Sequence, residues 1–303
     1  MAATRAAYAT CAVTAALVSA ACGSRTGLGG ANALDEGEGG LVASEGGVIA
    51  NDGGVGDGGV IRRDAGVDAQ ALCNDGGPLE VTYMLDDIGG LYRYDVATRH
   101  ATRLGVPNCG NANVQWTVTA SRENAYIVYT DWSIYAVDLT TLACTRTPFQ
   151  PGALGIDGDF GVAVLESGGV ERLYVYGEQS GASPIIAVSD LTSFALTKVG
   201  DVSPAPPVSS FPVNLTSDTL GHLYAFSPGG LLQQIDAATG AVVQSVQTGI
   251  MTMSTWASFT NGPDVFVVVG SHVDGYDLAT RKQTSSIDIG ISPVGACSVS
   301  LCP

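Results

Sequence analysis

The chain has 303 residues, 46% of them hydrophobic, which is enough to bury a full core. Only 13 Lys and Arg stand against 29 Asp and Glu, a formal net charge of −16. This argues against a nucleic-acid or anionic-membrane partner, because phosphate binding needs clustered cations, and it reads as a charge that keeps the protein soluble.

The chain begins MAATRAAYATCAVTAALVSAACGSRTG, with Arg5, an apolar run of small residues from Ala6 to Ala21, and then Cys22. The run is too short and too rich in alanine to span a bilayer, so residues 1–21 read as an export signal. The segment resembles a bacterial lipoprotein signal, with VSAAC as the lipobox and Cys22 as the lipidated residue. Ser19 stands where that family usually has Leu, and SAA also suits ordinary cleavage after Ala21, so a freely secreted protein is the alternative. In the lipoprotein family, Gly23 after the cysteine implies the outer membrane, and a lipid anchor would be the only membrane contact.

Residues 22–72 are rich in Gly, Asp and Ala and nearly lack aromatics. They bury too little to offset their ordering entropy, and they read as a disordered tether reaching roughly 40 Å. GGVGDGGVI within it does not recur as a calcium-binding repeat would. The globular part, 73–303, reads as one domain of about 230 residues.

From Pro78 onward one motif returns five times. Asp95, Asp138, Asp190, Asp236 and Asp277 are each followed three residues later by a hydroxyl, Thr98, Thr141, Ser193, Thr239 and Thr280. Such a pair makes a hairpin turn, the carboxylate accepting backbone N–H groups and the hydroxyl satisfying a second turn group. Upstream lie strands with an aromatic at a matching place, Tyr126, Tyr174, Tyr224 and Phe266, and before them further short strands such as VQWTVTAS, FGVAVLES, FPVNLTS and TWASFT. Each unit therefore reads as four antiparallel strands with a period of about 41 to 52 residues, the length of a propeller blade, with almost no helical periodicity.

The Y-D-L-A-T turn resembles that of bacterial propellers of the WD40, YVTN and quinoprotein-like superfamily. CGSRTGL, CTRTPFQPGALG and the terminal SVSLCP resemble a group of bacterial lipoproteins without known activity. The first resemblance implies fold and the second location; neither implies chemistry. The first unit lacks its opening strand, and VGACSVS near the C-terminus is spare, so a five-bladed all-β propeller closed by residues from Pro293 to Ser300 is expected.

Chemistry is sparse. His100, His222 and His272 are the only histidines, and there is no GxSxG elbow, HExxH helix or phosphate-cradling loop, so no cofactor is expected. Asp157 and Asp159 are too few acids for a calcium cage, and no metal site is expected. Trp116, Trp132 and Trp256 border the face where the longer loops gather, and with Asp86, Asp87 and Glu166 they form the candidate ligand face. A non-enzymatic binding or scaffold role toward a protein or polysaccharide, in a monomeric chain, is the first reading. The second is a glycoside hydrolase or lyase using those acids at the funnel.

Export makes disulfides permissible. A Cys73–Cys302 bond would clasp the ring, with Cys297 a buried free thiol; Cys297–Cys302 is a rival, as is Cys73 left free. Cys109 and Cys144 form a less secure pair, because the expected strand order directs them toward opposite faces.

Overall fold

The computed structural model describes residues 80–111, 113–179, 183–205, 213–250 and 255–300, all within the unit Arg62–Pro303. The export signal, Cys22, the tether, Cys73 and Cys302 lie outside the described residues, and the proposed clasp lies there with them.

The fold is a five-bladed β-propeller of four-stranded antiparallel sheets. Blade 1 holds β1 (Glu80–Asp86), β2 (Leu91–Asp95) and β3 (His100–Gly105), and blade 2 holds β4 (Gln115–Ala120), β5 (Asn124–Tyr129), β6 (Ile134–Asp138) and β7 (Cys144–Arg146). Blade 3 holds β8 (Ile156–Ser167), β9 (Val170–Gln179), β10 (Ile185–Asp190) and β11 (Thr197–Asp201). Blade 4 holds β12 (Asn214–Ser217), β13 (His222–Phe226), β14 (Leu231–Asp236) and β15 (Val242–Gln247). Blade 5 holds β16 (Trp256–Asn261), β17 (Asp264–Val269), β18 (His272–Asp277) and β19 (Lys282–Asp288). The last strand, β20 (Pro293–Ser300), returns to blade 1 and pairs antiparallel with β1, from Glu80 opposite Ser300 to Asp86 opposite Pro293. The ring thus closes as the strand count predicts, with β1 paired on both sides, by β20 and by β2.

Both faces of a blade pack against neighbours, so the inner two strands are buried in runs rather than in alternation; β5, NAYIVY, is buried at five of its six residues. The core divides into five apolar clusters, one in each gap between adjacent blades. The outermost strands face water, and β19, KQTSSID, is correspondingly polar.

All five repeated aspartates make their turns. Asp138 accepts N–H groups of Thr140 (2.9 Å) and Thr141 (2.6 Å) and the Thr141 hydroxyl (2.9 Å). Asp95, Asp190, Asp236 and Asp277 bind the third residue on in the same way. The next position carries a positive φ in every turn: Arg99, Leu142, Phe194, Gly240 and Arg281. Only one is glycine. Leu142 and Phe194 offset the left-handed strain by packing on the preceding blade, Leu142 against Gly105 and Phe194 against Tyr126, with ring centroids 5.8 Å apart.

The same docking corrects the reading of Cys109 and Cys144, which form a disulfide with Cα atoms 5.0 Å apart. Strand order alone sends them to opposite faces, but twist accumulated across four strands swings each outer strand away from the ring axis. The outer strand then meets the next blade's turn, as Ser203, just past the end of β11, does at Ala241, and as the Gln244 side chain within β15 does at the Leu278 carbonyl. The bond closes a loop with a sequence separation of 35. Reducing it is expected to lower unfolding free energy by at most roughly 4 kcal/mol, measured by denaturant titration with and without reductant. Cys297 is free and buried, and burial pushes its thiol up to about 12.

The turns also set an acid limit. For each aspartate the largest influence is a hydrogen bond from the residue three positions on, the Ser193 hydroxyl for Asp190, and all five carboxyls are held below the usual range, Asp190 at about 2. Depressed values stabilise the fold above the unfolded carboxyl pKa, and that contribution disappears as pH falls from about 4 toward 2. Glu80, raised by burial, acts in the opposite sense: its protonation favours the fold, and its contribution declines as pH rises. The melting temperature should therefore drop between about pH 4 and pH 2, and less steeply in Asp190→Asn, which keeps an acceptor but does not titrate.

Candidate functional site

The five inner strands β20, β4, β8, β12 and β16 ring the axis and all run in the same sense. Hydroxyls lace them midway along. The Thr119 hydroxyl accepts the Val164 N–H (2.8 Å), and Ser217 donates to the Val164 carbonyl (2.6 Å). Thr260 donates to the Ser217 carbonyl (2.7 Å), and Ser298 accepts the Thr260 N–H (3.1 Å). Above this belt Asn214 reaches across the axis from blade 4. Its amide donates to the Thr117 hydroxyl of blade 2 (3.0 Å), while its carbonyl accepts from the Ser258 N–H (2.9 Å) and hydroxyl (2.8 Å) of blade 5.

At the mouth where the inner strands begin, this bridge floors a cavity of 460 Å³. Its walls come from residues at or just before the starts of inner strands, Val114, Gln115, Trp116, Val213, Thr255, Trp256 and Val294, with Thr130 and Asp87 beside them at the rim. Trp116 of blade 2 and Trp256 of blade 5 flank blade 1 on either side and meet edge to face, ring centroids 6.2 Å apart at 85°. Both are half-buried. Gln115 lies against Gly89, whose φ of 82° opens the β1–β2 turn.

Neighbouring acids in that turn have different work. Asp86 is buried and accepts the N–H groups of Ile88 (3.1 Å) and Gly90 (2.6 Å), so it is a turn-former. Asp87 is exposed and lines the cavity. Trp132, in the β5–β6 turn with φ 65°, packs instead on Phe160, centroids 5.8 Å apart, between blades 2 and 3. Glu166 ends its inner strand and therefore sits at the opposite mouth, ion-paired with Arg122. The structure thus brings together Trp116, Trp256 and Asp87, and leaves Trp132, Asp86 and Glu166 elsewhere.

That opposite mouth is held by cross-ties. Glu80 accepts from Gly262 N–H (2.8 Å) and the Thr219 hydroxyl (3.1 Å), and Glu171 accepts the Arg122 N–H (2.9 Å). Asp218 is buried and binds the His222 ring (2.8 Å) and the Tyr224 hydroxyl (2.8 Å). Among the described residues no three His, Cys, Asp or Glu side chains gather as a metal site, and no helix is long and apolar enough to cross a membrane.

Sequence reasoning missed Asn214, Thr117 and Gln115. The available signal was a polar side chain in an inner strand that is otherwise apolar or small, since an amide buried there must find partners across the axis.

No family model and no curated relative matches the chain. Among solved structures, a chain of a nidogen/laminin complex is similar with a TM-score of 0.51 and 13% identity, over 74% of this chain and 100% of that one. Two structures of AztD from Citrobacter koseri match at a TM-score of 0.36 and 14% identity, over 71% of this chain and 70% and 73% of theirs. At such identity the likeness shows the fold alone. Fold and site together define a five-bladed propeller with a tryptophan-walled cup at one end of its axis.

Proposed function

We propose that the protein is a non-enzymatic binding propeller, exported and held at the cell envelope through Cys22, which receives a protein or polysaccharide ligand at the Trp116–Trp256 cup. The observation that carries this reading is the cup itself: a concave site with two half-buried indoles and a hydrogen-bonded polar floor, at the mouth where the inner strands begin. Export is supported by the signal-like N-terminus and by the Cys109–Cys144 bond, which suits an oxidising compartment.

The hydrolase reading needs two carboxylates facing one cavity. The described lining of the cup supplies Asp87 alone, while Asp86 and Glu166 are bound elsewhere. A glycan array and a peptide array, each probed with wild type and with Trp116→Ala and Trp256→Ala, test the proposal. A ligand whose affinity falls about tenfold or more in either variant, without turnover, supports it. Undiminished binding by both variants overturns the cup as the site, and turnover of a bound glycan overturns the non-enzymatic reading.

A further inference from the structure

Resting on the binding reading above, we infer that the cup takes a basic side chain, lysine or arginine, presented by an apolar segment of a protein partner. Charge complementarity is the first reason. Asp87 is the one charged residue among the lining residues described, and no Lys, Arg or His is found there. Its carboxylate accepts no hydrogen bond among the described residues, in contrast to Asp86 beside it, whose Oδ1 is held by two N–H groups. A fixed turn therefore leaves one anionic group exposed at the cavity wall.

The indoles are the second reason. A cation over the face of one indole is attracted by its quadrupole, and the edge-to-face arrangement at 85° offers no flat two-ring platform for stacking a sugar ring. The methylene stem of lysine or arginine suits the valine-lined wall, while its head remains near Asp87. The chain's net charge of −16 raises the local concentration of a basic partner.

The rim is the third. Ile88, next to Asp87, is 74% exposed, and Val114, at the cavity wall, is 60% exposed. Apolar residues flanking the basic one would cover both, and this feature favours a peptide segment over a free small cation.

The test uses short peptides with one central residue in a leucine-containing frame, titrated into the intact protein and followed by tryptophan fluorescence and calorimetry. Central lysine or arginine should bind about tenfold more tightly than central norleucine, which keeps the stem without the charge. The preference should weaken as salt rises and vanish in Asp87→Asn, a change at an exposed position whose fold is checked by circular dichroism. Equal binding of norleucine and lysine peptides, no binding of either, or an unchanged preference in Asp87→Asn overturns the inference. Free choline or ethylammonium binding as tightly as the peptides overturns the part assigned to the rim. If a glycan binds in a manner dependent on Trp116 and Trp256 but indifferent to Asp87→Asn, the cup remains a binding site and only this inference fails. If no ligand depends on either tryptophan, the binding reading fails too.

Discussion

Replacing Asn214 with alanine is expected to destabilise the propeller by about 3 kcal/mol, because the substitution leaves buried partners unpaired rather than merely removing a side chain. Asn214 joins three blades. Its amide satisfies the Thr117 hydroxyl of blade 2, and its carbonyl takes two donors from Ser258 of blade 5. Thr117, Asn214 and Ser258 are all buried. Water entering from the cup can replace the amide at Thr117, since Thr117 lines the cavity. The Ser258 N–H has no such relief, as Ser258 is fully buried and lies outside the cavity lining. Asn214→Asp separates the two halves of the bridge, keeping an acceptor for Ser258 while losing the amide donor. It should cost less at acid pH, where the introduced carboxyl is neutral, and more as it ionises in a buried setting. Urea titrations of both variants across pH check the prediction; a loss for Asn214→Ala within a few tenths of a kcal/mol would remove the bridge as a structural element.

What the sequence made legible was local chemistry repeated. An aspartate and a hydroxyl three residues apart define a turn by themselves, so five such turns yielded five sheets, and the missing opening strand of blade 1 assigned β20 its place. Features that depend on twist were not legible. Cys109 and Cys144 meet because an outer strand leans onto the next blade, a rotation that strand order does not contain. The three tryptophans illustrate the same limit at the site. Trp116 and Trp256 stand at the starts of inner strands and reach the cup, whereas Trp132 occupies a left-handed turn position and packs between blades. Residue type is identical in all three, and strand position relative to the axis separates them. Glu166 and Asp87 divide likewise, one ending an inner strand and the other following a second strand that runs the opposite way, so they reach opposite mouths. Of the two, only Asp87 stands beside the indoles.

Gly295→Ala should open the ring where the chain closes it. Gly295 lies in β20 opposite Leu85, and its backbone is in an ordinary extended strand, so the substitution tests space alone. A Cβ there would stand 2.5 Å from the Val118 nitrogen and 2.8 Å from the Thr117 Cα. Both are backbone atoms of β4, and neither can rotate away as a side chain would. Relief requires β20 to separate from β4, which disturbs the apolar cluster holding Cys297, Val299, Val118 and Ile127. Overpacking of this kind costs about 3 kcal/mol or more when the contact is with backbone rather than side chain. Gly229 supplies the control: it has no neighbour within 4 Å of an added Cβ and no left-handed φ, so Gly229→Ala should leave stability unchanged or raise it slightly by restricting the unfolded chain. Hydrogen exchange distinguishes local opening from uniform weakening. Faster exchange confined to β20, its β1 partner residues and the Thr260 N–H tied to Ser298 in Gly295→Ala locates the damage at the closure, because β20 pairs within a sheet with β1 alone. Equal acceleration in all five blades would instead mean that the ring opens as one cooperative unit, and unchanged exchange and stability would mean that β20 and β4 are not as close as the backbone contact requires.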